Sequence, residues 1–142
     1  MSSGCVRLVA GALALLLLAG CGSRGPQVGD VAGKVTFMGK PVGEGTVNFL
    51  NLETGYAADA PLDVEGAYAI HTKLGGLPIG TYEVTISPPM YLDKSDPKTP
   101  PAMLEKRVRN IPEQYRRSGS PLKADVKEGK NALNFDLRPD AG

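Results

Sequence analysis

Tryptophan is absent from the 142 residues, histidine occurs once, and aromatic residues make up only 6% of the chain. Cysteine occurs twice, at Cys5 and Cys21. The formal charge is only +1, so no global field favours nucleic acid or an acidic surface. No stretch keeps a helical hydrophobic period over three turns, and no internal repeat is present. His71 follows Ala69 on the face opposite Tyr68 and Ile70, so alternation predicts that it faces solvent. There is no H-E-x-x-H, no G-x-S-x-G and no phosphate-cradling glycine loop. These shortages argue against catalysis, and neither an enzyme activity nor a cofactor or metal is expected. What the chain has in quantity is turn-formers, with 18 glycines and 12 prolines. That composition favours short strands joined by turns over long helices.

The N-terminus carries Arg7 and then an apolar run from Leu8 to Ala19. About a dozen apolar residues are too few to span a ~30 Å bilayer core as a helix, but they fit the hydrophobic region of an export signal. Leu18-Ala19-Gly20-Cys21 follows and resembles the lipobox of bacterial lipoprotein precursors. In that family a thioether-linked diacylglycerol is placed on the cysteine and the signal is cut before it. The resemblance implies residues 1–20 as signal peptide and 21–30 as lipidated cysteine and flexible tether, attached to a membrane through Cys21. Gly22 stands where an aspartate would imply inner-membrane retention, so the outer membrane is the expected location, within the cell envelope. Cys5 lies in the removed segment, so the mature chain has no internal disulfide and must be held by its core. About 110 ordered residues suffice, since staples matter mainly below roughly 70–80.

From Val31 the period is two. Val31, Val35 and Phe37 share a face, as do Val47 with Phe49, Tyr68 with Ile70, and Tyr82, Val84 and Ile86. Ala58, Ala60 and Leu62 form a weaker strand, placed at an edge because Pro61 cannot donate a ladder hydrogen bond. Turns are expected at Met38–Pro41, Asp63–Gly66 and Glu128–Lys130. Leu122, Ala124 and Val126, then Leu133, Phe135 and Leu137, form a closing hairpin. Seven short alternating strands predict a β-sandwich over residues 31–139.

Gly33-Lys34-Val35-Thr36-Phe37, Gly39-Lys40-Pro41-Val42 and Gly45-Thr46-Val47 resemble the opening of carboxypeptidase regulatory-like, or transthyretin-like, domains. Asp63-x-Glu65-Gly66-x-Tyr68 and Pro78-Ile79-Gly80-Thr81-Tyr82 resemble two later motifs of the same domains. The resemblance implies an all-β fold, a seven-stranded transthyretin-like (prealbumin/Ig-like) β-sandwich with a long irregular insertion before the last hairpin. Ile111-Pro112-Glu113-Gln114-Tyr115 is similar to a segment of small bacterial lipoproteins carrying this domain. Tyr115-Arg116-Arg117-Ser118 approaches the Y-R-G-S end of transthyretin-related hydroxyisourate hydrolases, but here it is internal, lacks the glycine and has no companion histidines. That activity is not carried over.

Two further chemistries fail on local geometry. A Lys34–Asn134 isopeptide bond needs both side chains in the core, and alternation turns both outward. Asp59, Asp63 and Glu65 could gather around Ca²⁺, but Asp63 and Glu65 are more simply turn residues. The remaining unusual feature is the stretch 87–120, too long for an ordinary connection. It carries Lys106, Arg107, Arg109, Arg116 and Arg117, with Tyr115 among them, as candidate residues of a ligand-binding loop. Met90, Tyr91, Met103, Leu104, Ile111 and Tyr115 are expected to fasten it to the sandwich. The competing reading is a solvated cover that blocks edge pairing. The expected function is a non-catalytic, lipid-anchored binding or structural module of the cell envelope, with an envelope protein or polysaccharide as partner and no nucleic acid. The alternatives are an accessory subunit of an envelope complex and a hydrolase using the 87–120 loop.

Overall fold

The computed structural model describes Gly22 and residues 25–140. Leu18, Ala19, Gly20 and Cys21, with the signal segment before them, lie outside the described residues. The chain forms β1 (Val28–Phe37), β2 (Lys40–Pro41), β3 (Thr46–Leu50), β4 (Ala57–Pro61), β5 (Ala67–Ile70), β6 (Leu77–Pro78) and β7 (Gly80–Ser87). There follow β8 (Met90–Asp93), β9 (Ala102–Glu105), a 3-10 turn (Glu113–Tyr115), β10 (Lys123–Val126), β11 (Gly129–Ala132) and β12 (Phe135–Leu137).

The architecture is all-β and sandwich-like. β1 is the centre of one sheet, with β5, β6 and β2 antiparallel on one side and β11 and β12 parallel on the other. The second sheet has the order β10-β7-β3-β4, all antiparallel, and β4 is an edge as Pro61 requires. Alternation delivers Val31 and Val35 from the first sheet, and Val47, Phe49, Tyr82, Val84 and Ile86 from the second, to a common core. Phe49 sits at the centre of this core. Its ring lies 6.0 Å from Tyr68, 6.1 Å from Tyr82 and 6.4 Å from Phe135, so one side chain ties β3 to both sheets. Each such burial stabilises by about 1.5–3 kcal/mol.

Several expectations change. β1 begins at Val28, three residues before Val31, because Val28 and Gly29 pair with β6 and Gly29 also with β11. The closing hairpin does not form: β10 pairs with β7, whereas β11 and β12 cross to the other sheet and run parallel to β1. The Glu128–Lys130 turn is therefore a change of sheet. Between β11 and β12 the parallel ladder is completed by a side chain, Asn134 Oδ1 accepting from the Lys34 amide at 2.9 Å. Stretch 87–120 is not wholly irregular, since β8 and β9 pair as a separate two-stranded hairpin.

The strands give the molecule two ends. At one, β1 starts beside Pro78, the 51–56 loop, the 71–76 loop and the Lys127–Gly129 crossing. At the other lie the Met38–Gly39 turn, the Asp63–Gly66 turn and the base of the β8–β9 hairpin.

Candidate functional site

The Asp63–Gly66 turn shows how local chemistry settles the acidic residues. Asp63 Oδ1 accepts from the Glu65 and Ala67 amides, both at 2.9 Å, and Gly66 takes φ 75°. Asp63 thus caps its own turn. Among the described residues no group of three or more His, Cys, Asp or Glu side chains is placed to hold a metal ion. Lys34 and Asn134 are both exposed. His71 is exposed and borders an open groove of about 930 Å³ on the outer face of the first sheet, floored by Ala32, Ala69 and Ala132.

The candidate residues of stretch 87–120 separate into two groups. Tyr115 is buried, and its hydroxyl accepts from the Arg138 amide at 3.1 Å. Arg116 donates to the Ile111 carbonyl at 2.7 Å and the Val108 carbonyl at 3.0 Å, and lies 3.4 Å from Glu113. Both side chains hold the segment down. Lys106 is paired with Glu44 at 2.7 Å at the base of the hairpin. Arg117 is exposed and lies 3.2 Å from Glu113. Arg107 and Arg109 are exposed. The structure therefore brings Arg116 and Arg117 together around Glu113, with Arg109 bordering the same groove as Glu113 and Arg116, and leaves Lys106 and Arg107 nearer the hairpin base.

Segment 107–120 also changes the outer face of the second sheet. Alternation turns Glu83 outward, yet it is only 7% exposed because the Ser118–Ser120 backbone passes over it. Its carboxylate accepts from Lys123 Nζ at 2.8 Å and from the Gly119 amide at 3.0 Å. The Lys123 hydrogen bond, then that of Gly119, holds the Glu83 carboxyl below the usual carboxylate range. Beside it a groove of about 490 Å³ is bordered by Asn48, Asp59, Thr85, Arg117 and Ser118. Asn48 Nδ2 already donates to Ser87 Oγ at 2.9 Å, so the groove wall is hydrogen-bonded within itself.

The largest departure from the sequence reading is in the apolar residues of the insertion. Ile111 and Tyr115 enter the core as expected. Met90, Tyr91, Met103 and Leu104 do not, and with Leu92 they stand 40–57% exposed on β8 and β9. The register sets Tyr91 opposite Leu104 and Leu92 opposite Met103, which puts apolar side chains on both faces of the hairpin. The signal was present as two short apolar runs separated by the proline-rich, polar stretch 93–101. Among the described residues no helix is long and apolar enough to cross a membrane. Set against protein-family models, curated proteins and solved structures, the chain matches none.

Proposed function

We propose that the chain is a non-catalytic, lipid-anchored binding module of the bacterial cell envelope, held at Cys21 and displaying the β8–β9 hairpin to an envelope protein or polysaccharide. The fold reading is a seven-stranded transthyretin-like sandwich. Supporting it, β5 with β2 and β6 makes one row beside β1, β11 with β12 makes another, and β10, β7, β3 and β4 complete the set. The anchor reading rests on the apolar run and Leu18-Ala19-Gly20-Cys21. The outer membrane remains the expected one.

The observation that carries binding is the hairpin itself. A two-stranded hairpin is marginal by itself in water. This one exposes five large apolar side chains, Met90, Tyr91, Leu92, Met103 and Leu104, at the end of the molecule away from the start of β1. Concentrated exposed apolar surface marks contact sites. The cationic Lys106 and Arg107, which follow β9 at the base of the hairpin, suit an anionic rim on the partner.

The test is a photo-crosslinking amino acid at Tyr91 of the full chain in intact cells, with Val64, 87% exposed on the Asp63–Gly66 turn at the same end but off the hairpin, as control. A discrete adduct at position 91 that is lost in Leu92→Ser/Met103→Ser, and is not formed from position 64, supports the reading. Adducts equal at both positions, or none at 91, overturn it.

A further inference from the structure

Apart from the hairpin, five large hydrophobic residues are exposed among the described residues. Met38 and Val64 stand on turns at the hairpin's end, whereas Leu52 (66% exposed), Leu74 (44%) and Ile79 (41%) gather at the end where β1 begins. Each of these three sits on a different connection. Leu52 follows β3 in the 51–56 loop, Leu74 is in the 71–76 loop, and Ile79 links β6 to β7. Close backbone packing holds these connections around the start of β1. The Ile79 amide donates to the Gln27 carbonyl at 3.0 Å, and a β-carbon at Gly76 would lie 2.6 Å from the Gly29 carbonyl. Asn51, beside Leu52, lies against Gly80. Lys73, Lys127 and Lys130 are exposed on the same end, matched in number by the exposed carboxylates of Asp30, which faces Lys130 in the register, Glu53 and Glu128.

We propose that this end of the sandwich, tipped by Leu52, Leu74 and Ile79 and flanked by Lys73, Lys127 and Lys130, rests on the lipid headgroups of the bilayer that holds Cys21. The distance argument rests on the anchored reading. Only six residues, Gly22 to Gln27, separate Cys21 from β1. Fully extended they reach about 20 Å. A tether that short keeps the end at an effective concentration of order millimolar to the surface, so weak contacts are sufficient. Aliphatic tips with lysines beside them suit the boundary between acyl chains and phosphates, where ammonium groups remain in the headgroup layer. The same geometry turns the β8–β9 hairpin away from the membrane and leaves it free for a partner.

The experiment uses the full, processed chain with single substitutions Leu52→Cys, Leu74→Cys, Ile79→Cys and Val64→Cys, each labelled with an environment-sensitive fluorophore. The chains are reconstituted in phosphatidylethanolamine–phosphatidylglycerol vesicles bearing headgroup nitroxides, and the mass of each is measured. With diacylglycerol on Cys21, blue-shifted and quenched emission is expected at 52, 74 and 79, with water-like emission at 64. Leu74→Glu/Ile79→Glu is expected to return position 52 to water-like emission. Water-like emission at all four positions on a lipidated chain overturns the docking while leaving the anchor intact. An unmodified Cys21 overturns the anchor instead. In that case a blue shift at 74 and 79 on adding vesicles upholds the surface, and none overturns it.

Discussion

Gly33 sits mid-strand in β1, where a β-carbon would run into the Leu133 carbonyl oxygen. That carbonyl is already an acceptor for the Tyr68 hydroxyl, so it cannot move aside without breaking a second contact. Burial raises the Tyr68 pKa well above its ordinary value, which keeps the hydroxyl a proton donor across the working pH range. Gly33→Ala is therefore expected to lower stability by about 1–3 kcal/mol, measured by urea denaturation. An unchanged midpoint would sink this account of how closely β1 approaches the link between β11 and β12. Tyr68→Phe should lose about 0.5–1.5 kcal/mol by removing one hydrogen bond. Glu83 supplies a pH dependence. Its folded-state pKa is depressed by Lys123 and Gly119, and that of Asp136 by the Gly39 amide and then Thr36. A depressed pKa adds stability above the unfolded value, which is lost as pH falls through the folded value. Thermal midpoints should therefore drop below about pH 4. Glu83→Gln should melt lower at neutral pH and lose less on acidification. Parallel pH curves for the two proteins would contradict the assignment.

At the scale of elements, segment 107–120 and the β8–β9 hairpin behave oppositely although they are neighbours in one insertion. Ile111 is fully buried, Tyr115 reaches Arg138 on the far side of β12, and Leu122 O accepts from the Val84 amide along β7. This part lies across the outer face of the second sheet at Glu83. Ile111→Ala is expected to cost about 2–5 kcal/mol, read from chemical denaturation. The hairpin adds little to the core, so Tyr91→Ser/Leu104→Ser should leave the melting temperature within about 1 kcal/mol equivalent while abolishing the crosslinked adduct. Melting that collapses with this pair would mean the hairpin is part of the fold rather than a contact surface.

At the scale of the whole molecule, the start of β1 and the base of the hairpin lie at opposite ends, and the proposed anchor would hold the first of them. Cys21→Ala should release the protein from the membrane fraction or leave its signal uncut, visible by fractionation and intact mass. A membrane-bound chain of unchanged mature mass would end the anchored reading.

Alternation by itself determined which residues face the core along Val31–Phe37, Val47–Phe49, Tyr68–Ile70 and Tyr82–Ile86, because a strand's side chains take opposite faces whatever its neighbours are. The Asp63–Gly66 turn was equally legible, since its hydrogen bonds lie within five residues. The same rule sent Glu83 to solvent, and tertiary structure buried it, because a segment some forty residues later lies across that face. The partner of the last strands was also beyond local reading. A hairpin and a crossing to a parallel neighbour share one alternation, and only the pairing of Gly29 with Gly129 and Val35 with Phe135 distinguishes them. Of the candidate residues, the sequence marked the cations of the insertion, whereas only the packed structure decided that Arg116 and Tyr115 are spent on holding the chain. Burial of an apolar run depends on the space left by the other strands. That space takes in Ile111 and leaves Tyr91 and Leu104 in water.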